Sequence, residues 1–251
     1  MAHPWSFPNA TLRAVPWFWT RRHIPPCRFA VLFPGRTGSS FLISCLAEHP
    51  EVRVEGEGLA RQDAESQRRW LAALYDAPQP TTCRAVGFKT KLKDVWDLAA
   101  FAEFLRARGV RIIVLQRRNI VKLAVSTLNA RRLHDLTGRW NRTAGAPELG
   151  PLRVAPQELA DMIAGCANAQ TEVTDYARAT GLPTLELDYE DLLADRAAWL
   201  RRVTDYLGVA PRALAGSVEK ATHDDLRVAL ADHDAHAAYF ARTPFAECFS
   251  A

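Results

Sequence analysis

From residue 27 onward the chain alternates short apolar runs with longer amphipathic ones. The runs 28–33, 85–88, 110–115 and 183–189 are bounded by Gly, Pro or Arg and read as strands. Between them, apolar positions at helical spacing predict helices over 40–48, 60–75, 94–108, 120–133, 156–180 and 196–207. Strands alternating with helices specify βαβ units, hence a three-layer α/β/α fold around a central parallel sheet. Such sheets place ligands at the carboxyl ends of their strands, where the strand order reverses.

Two stretches stand outside this alternation. Residues 1–26 form a Pro- and Trp-rich arm carrying Trp5, Trp17, Phe18 and Trp19, with neither helical nor strand periodicity. Its aromatics do not share one helical face, so an arm laid over the core is favoured over a peripheral membrane anchor. The organised part, 27–251, includes a long loop at 134–155 with Gly138, Gly145, Pro147, Gly150 and Pro151. A loop of that length is either functional, such as a lid or an acceptor-binding segment, or a connector.

Composition narrows the class. A chain of 251 residues with 48% hydrophobic and 24% charged residues is an ordinary globular protein of one or two domains, which excludes disordered, collagenous and disulfide-scaffold readings. The net charge of +4 does not require a nucleic-acid partner. Only five of the 32 basic residues are lysines, leaving 27 arginines, the side chain suited to bidentate capture of phosphate. Five widely spaced cysteines without a C-x-x-C pair indicate neither a disulfide framework nor a metal site, and fit a reducing, cytoplasmic setting. No run reaches the roughly 18 apolar residues of a membrane span.

The first strand-to-helix turn carries chemistry. It reads Gly35-Arg36-Thr37-Gly38-Ser39-Ser40-Phe41. Glycines let successive N–H groups turn inward and the following helix N-terminus adds partial positive charge, so the turn suits an anion. Thr37, Ser39 and Ser40 add hydroxyl donors and Arg36 a permanent cation. The turn lacks the Lys-Ser/Thr pair of a Walker A loop and is not G-x-G-x-x-G, which argues against ordinary ATP chemistry. By itself, a Gly/Ser turn before a helix is equally a plain capped turn.

A second loop follows the strand 110–115. There Arg117-Arg118-Asn119 leads into a helix, and Ser126 lies eight residues, about two turns, beyond Arg118. Arg118 and Ser126 can therefore meet on one anion, which is the natural partner for arginines at a strand end.

Together these loops resemble the sulfotransferases that use 3′-phosphoadenosine 5′-phosphosulfate (PAPS). Arg36-Thr37-Gly38-Ser39-Ser40 matches that family's 5′-phosphosulfate loop, and Arg118 with Ser126 matches its 3′-phosphate pair. Tyr189-Glu190-Asp191-Leu192 matches its Y-E-D-L, whose tyrosine lies against the adenine, and Thr222 falls where the family closes over the nucleotide. The likeness covers about residues 28–245 and is closer to bacterial and carbohydrate enzymes than to the animal cytosolic ones. Ile120 stands in place of the cytosolic type's proline and Arg36 in place of its common lysine.

The resemblance implies a single domain with a P-loop-like core, since Arg36, Arg118 and Tyr189 must meet on one nucleotide. It implies in-line transfer of a sulfuryl group to a hydroxyl of a small molecule, glycolipid or saccharide, with PAPS as co-substrate and no metal. Cofactor contacts fall to Gly35, Arg36, Thr37, Gly38, Ser39, Ser40, Phe41, Arg118, Ser126, Tyr189 and Thr222. Arg36 also serves as catalytic cation. The cytosolic family's histidine base has no convincing equivalent; Glu57 is the expected base because its loop follows the helix that starts at the cradle and can return its carboxylate to the transferring group, with its pKa raised by partial burial. Glu55 and His134 are the alternatives. Lys89 and Lys91, at alternate positions, share a face that either borders the site or is solvated. An ATP-using kinase and a non-catalytic basic binding module are the competing classes.

Overall fold

The computed structural model describes residues 22–142, 148–216 and 222–250. Its strands are β1 (Arg22–His23), β2 (Cys27–Leu32), β3 (Val52–Glu55), β4 (Gln79–Pro80), β5 (Ala85–Thr90), β6 (Arg111–Gln116) and β7 (Thr184–Asp188). The helices are α1 (Ser39–Ala47), α2 (Ala64–Asp76), α3 (Leu98–Ala107), α4 (Ile120–Thr137), α5 (Pro156–Thr180), α6 (Tyr189–Ala194), α7 (Arg196–Leu207), α8 (Leu226–Ala229) and α9 (His233–Phe240).

The main sheet has the order β3-β5-β2-β6-β7 with every neighbouring pair parallel, as the alternation of elements predicts. Strand β2 is central because both its faces are apolar. Phe29 and Val31 enter a core built with α1 and α7, while Ala30 and Leu32 enter the opposite one against α2, α3 and α5. All four are fully buried, and a large side chain in such a place contributes about 1.5–3 kcal/mol relative to exposure. A third cluster joins α4 and α5 to α8, α9 and the C-terminal turn.

Helix boundaries follow capping chemistry. Asp63 and Asp97 accept N–H groups of the first turns of α2 and α3, so those helices start at 64 and 98 and not at 60 and 94. Helix α4 runs four residues past its expected end because Gly138, at φ 70°, closes it by donating to His134 O at 2.7 Å. The long loop is correspondingly shorter and starts at 138.

The fifth sheet strand, β3, was not expected. Val52-Arg53-Val54-Glu55 alternates over only four residues between charged neighbours, and its identity as a strand comes from pairing with β5 at the sheet edge. Tyr189 opens α6 and does not end β7. Most of the aromatic arm, 1–21, lies outside the described residues, as do 143–147 of the loop and Lys220 and Ala221; Arg22 and His23 pair with β4 in a two-residue ribbon.

The strand order reverses between β2 and β6, because the chain first builds β3 and β5 on one side of β2 and then crosses to β6 on the other. The turns after β2 and β6 therefore lie side by side at the carboxyl edge, the position at which α/β sheets hold ligands.

Candidate active site

The turn after β2 is a curled backbone. Gly35, Arg36 and Gly38 have φ of 130°, 55° and 81°, and Gly38 caps α1 in the left-handed conformation. A non-glycine residue at positive φ is uncommon and is held by its surroundings. Here the Arg36 guanidinium is fixed: Nε donates to Ser126 Oγ at 3.3 Å, and Nη1 donates to Asn141 Oδ1 at 2.9 Å and to Trp140 O at 3.1 Å. Burial, then the neighbouring Arg117, lowers the pKa of Arg36.

A cavity of about 280 Å³ opens at this edge. Of the expected residues, Arg36, Gly38, Ser39, Ser40, Phe41, Ser126, Tyr189 and Thr222 line it, joined by Arg117, Asn141, Leu192, Leu193 and Arg196. Tyr189 packs against Gly38, where an added Cβ would stand 3.1 Å from the ring. Thr37 Oγ1, Thr222 Oγ1 and Arg117 Nε are buried without a hydrogen-bond partner. Buried donors in that condition are costly unless a ligand supplies acceptors.

Arg118 departs from expectation. It does not line the cavity; Nη1 donates to Asp188 Oδ2 at 2.7 Å and Nη2 pairs with Asp191 Oδ1 at 2.8 Å, on a side chain 54% exposed. The hydrogen bonds it donates to Asp191 and then to Asp188 raise its pKa. The loop itself is held by Glu190, whose two carboxylate oxygens accept the N–H groups of Arg118 and Asn119 at 2.9 and 3.1 Å. That explains the acid of the Tyr-Glu-Asp-Leu stretch: it braces the second loop against the first residues of α6.

Glu57 lies one side chain from the cradle. Lys89 Nζ donates to Ser40 Oγ at 3.0 Å and stands 3.3 Å from Glu57 Oε1, while Lys91 bonds the other carboxylate oxygen. Both ammonium groups sit over the Phe33 ring, at 5.2 and 5.1 Å from its centroid. The expectation of a raised pKa is corrected. Burial pushes the Glu57 carboxyl up, but Lys89 and Lys91 outweigh it and the net shift is downward. Of the alternative bases, Glu55 is engaged by Arg53 at 3.2 Å on β3, and His134 stacks on Trp140 with centroids 4.3 Å apart. Lys89 is buried, its pKa lowered chiefly by burial, so it borders the site and is not a solvated surface lysine.

The loop carrying Glu57 is shaped by Gly58, where an added Cβ would lie 2.1 Å from the Trp70 ring. Gly58→Ala is expected to lower stability by about 1–3 kcal/mol through overpacking and to displace Glu57. Thermal denaturation together with turnover measures both effects.

Among residues the sequence did not single out, Arg117 carried a signal in its pairing with Arg118. Asn141 carried none, because its contact with Arg36 joins the ends of two segments 105 residues apart.

A parallel sheet with a curled Gly/Ser turn after its central strand, a serine-bearing helix after the neighbouring strand and a Tyr-Glu-Asp turn beside them is the arrangement that the resemblance to sulfotransferases implies, and the similarity to known proteins supports an enzyme of the sulfotransferase class. No protein-family model matches the chain. By sequence it is similar to Nodulation protein H of Rhizobium meliloti (strain 1021), 25% identical over 245 residues that cover 92% of this chain and 98% of the relative. It is also similar to Nodulation protein H of Rhizobium tropici, 26% identical over 200 residues, covering 73% of this chain and 76% of that one. Among solved structures, a sulfotransferase from Alicyclobacillus acidocaldarius aligns with 89% of this chain and 94% of its own, at 17% identity and a TM-score of 0.48.

Proposed function

We propose that this sulfotransferase uses PAPS and transfers its sulfuryl group to a hydroxyl of a small molecule, glycolipid or saccharide. The observation that carries this is the cavity itself: Arg36, Ser39, Ser40, Ser126 and Thr222 converge on it, and the buried Thr222 hydroxyl there has no hydrogen-bond partner. This donor set fits a nucleotide with several anionic groups. When bound, PAPS supplies an activated sulfuryl group on a phosphate leaving group.

In this reading the N–H groups of 35–40 and the hydroxyls of Ser39 and Ser40 hold the 5′ end. Tyr189 and Phe41 flank the base, with Phe41 braced by the Arg196 guanidinium 4.6 Å from its ring centroid. Arg36 stabilises negative charge developing on the leaving phosphate oxygen. Glu57 accepts the acceptor hydroxyl's proton, and Lys89 joins that carboxylate to the cradle through Ser40. Residues 27–251 are read as one catalytic domain. The compartment is the cytoplasm, a reading supported by five free cysteines.

Calorimetric titration with 3′-phosphoadenosine 5′-phosphate and with ATP tests the nucleotide assignment. Tighter binding of the former is expected, and a preference for ATP overturns the reading in favour of a kinase.

The Glu57 environment also sets a pH dependence. A base works ionised, so with its pKa held below the ordinary 4.5 activity persists as the pH falls through the usual carboxylate range and fails only beneath it. Lys91→Met removes one attraction and is expected to move that acid limb to higher pH. A pH–rate profile in which the limb stays put or moves down counts against Glu57 as the titrating base.

A further inference from the structure

We infer that Gln67 is a positioning residue of the transfer reaction: its buried amide staples the loop that carries Glu57 to the turn that carries Lys91, and so holds that carboxylate between Lys89 and Lys91. The inference rests on the reading of Glu57 as base and deepens it.

Gln67 lies on α2 and is 6% exposed. Its Nε2 donates to Leu59 O at 2.8 Å and to Asp94 O at 2.7 Å, with Gln62 O at 3.4 Å beside them, and its Oε1 accepts the Trp96 N–H at 3.0 Å. Carbonyl oxygens face one end of the amide and an N–H faces the other, so a single orientation fits. Leu59 stands two residues beyond Glu57, and Asp94 stands three beyond Lys91. One side chain therefore bonds both segments.

The rest of that face of α2 is apolar. Leu71 and Leu74, at helical spacing from Gln67, are buried in the same core. An amide placed among them is costly unless its donors and acceptor are filled, and its removal leaves Asp94 O and Trp96 N–H without their partner. Trp70, one turn on from Gln67, packs on Gly58 and meets the Phe88 ring edge-on, with centroids 5.1 Å apart. Helix α2 thus fixes the Glu57 loop by one polar and one apolar contact.

The carboxylate held in this way faces charge from several elements. Lys89 reaches it from β5 at 3.3 Å and is joined to Ser40 of α1, and Lys91 bonds it from the turn after β5. Asp94 stands 4.0 Å from Lys91 on that turn, and Arg36 acts on Lys89 from the cradle. Coulomb attraction falls with separation, so the strength of the Lys91–Glu57 pairing depends on how loop and turn are registered. That registration is what Gln67 sets.

The test follows the Glu57 carboxyl itself, by carbon-13 NMR titration of the full chain with labelled glutamates, the signal being assigned by its loss in Glu57→Gln. Gln67→Met, unbranched and of similar length, is expected to move that titration to higher pH, because the attraction of Lys91 weakens. Turnover is expected to fall about 10- to 100-fold, the cost of misplacing a reacting group by roughly 1 Å. Affinity for 3′-phosphoadenosine 5′-phosphate is expected to stay within about threefold, as for sites that act independently. In Lys91→Met the further change Gln67→Met is expected to move the titration little more, since both act through one pair. Gln67→Asn, whose amide is too short to span both segments, serves if Gln67→Met does not fold, and the same direction of movement is expected. A Glu57 titration that stays put in a folded Gln67 variant, or a double variant whose movement is the sum of the two single ones, overturns the inference while the base reading stands. Full turnover in Glu57→Gln overturns the base reading instead, and with it the link from Gln67 to the chemistry.

Discussion

Arg36→Ala is expected to lower the turnover number by about two to three orders of magnitude, the usual consequence of removing one preorganised donor from developing charge. The expectation follows from how the side chain is held. Its guanidinium makes three hydrogen bonds at once, to Ser126 Oγ, Asn141 Oδ1 and Trp140 O, and so arrives at the cavity in one orientation. Arg36→Lys keeps the charge but not the planar fork, so it is expected to recover only a small part of the lost rate. Asn141→Ala leaves the cation and loosens it, and a smaller fall in turnover with little change in nucleotide affinity is expected. Steady-state kinetics with nucleotide as the varied substrate checks all three. Turnover of Arg36→Ala within tenfold of wild type is the result that removes Arg36 from the chemistry.

Glu57→Gln is expected to reduce turnover by about two to four orders of magnitude, the range for loss of a general base, with nucleotide affinity unchanged. The substitution is nearly isosteric, so Lys89 and Lys91 keep a hydrogen-bond acceptor while losing a charge partner. Affinity for 3′-phosphoadenosine 5′-phosphate and thermal stability serve as controls for correct folding. The lowered pKa of Glu57 makes it a weaker base than the raised one expected of a partly buried carboxylate. It also keeps the residue in its proton-accepting form throughout the neutral range, and the Lys89–Ser40 link ties that form to the cradle. Retained turnover in Glu57→Gln moves the base to His134, since Glu55 is engaged by Arg53 on the edge strand.

The parts of this protein that could be read along the chain are those whose cause is local. The βαβ rhythm was legible because a strand buried on both faces needs an uninterrupted apolar run such as 28–33, and β2, β5, β6 and β7 lie within a residue or two of the expected spans. Helices α5 and α7 were legible to the residue because Pro156 and Asp195 start them and Gly181 and Gly208 end them. Strand β3 was not, because four alternating residues become a strand only when β5 lies beside them. The Lys89–Glu57–Lys91 cluster was visible as separate charges, but its effect on the Glu57 pKa depended on distances that no spacing encodes.

The amino-acid order alone determined where the curled turn after β2 lies, since Gly35 to Phe41 are contiguous and Gly35 and Gly38 take the positive φ it needs. It also determined that a second basic loop stands at a neighbouring strand end. Which of its two arginines enters the cavity was decided only by tertiary structure. Asp188 and Asp191, about seventy residues further on, are brought by β7 and α6 to the outer side of the loop, where they draw Arg118 away and leave Arg117 buried against Tyr189.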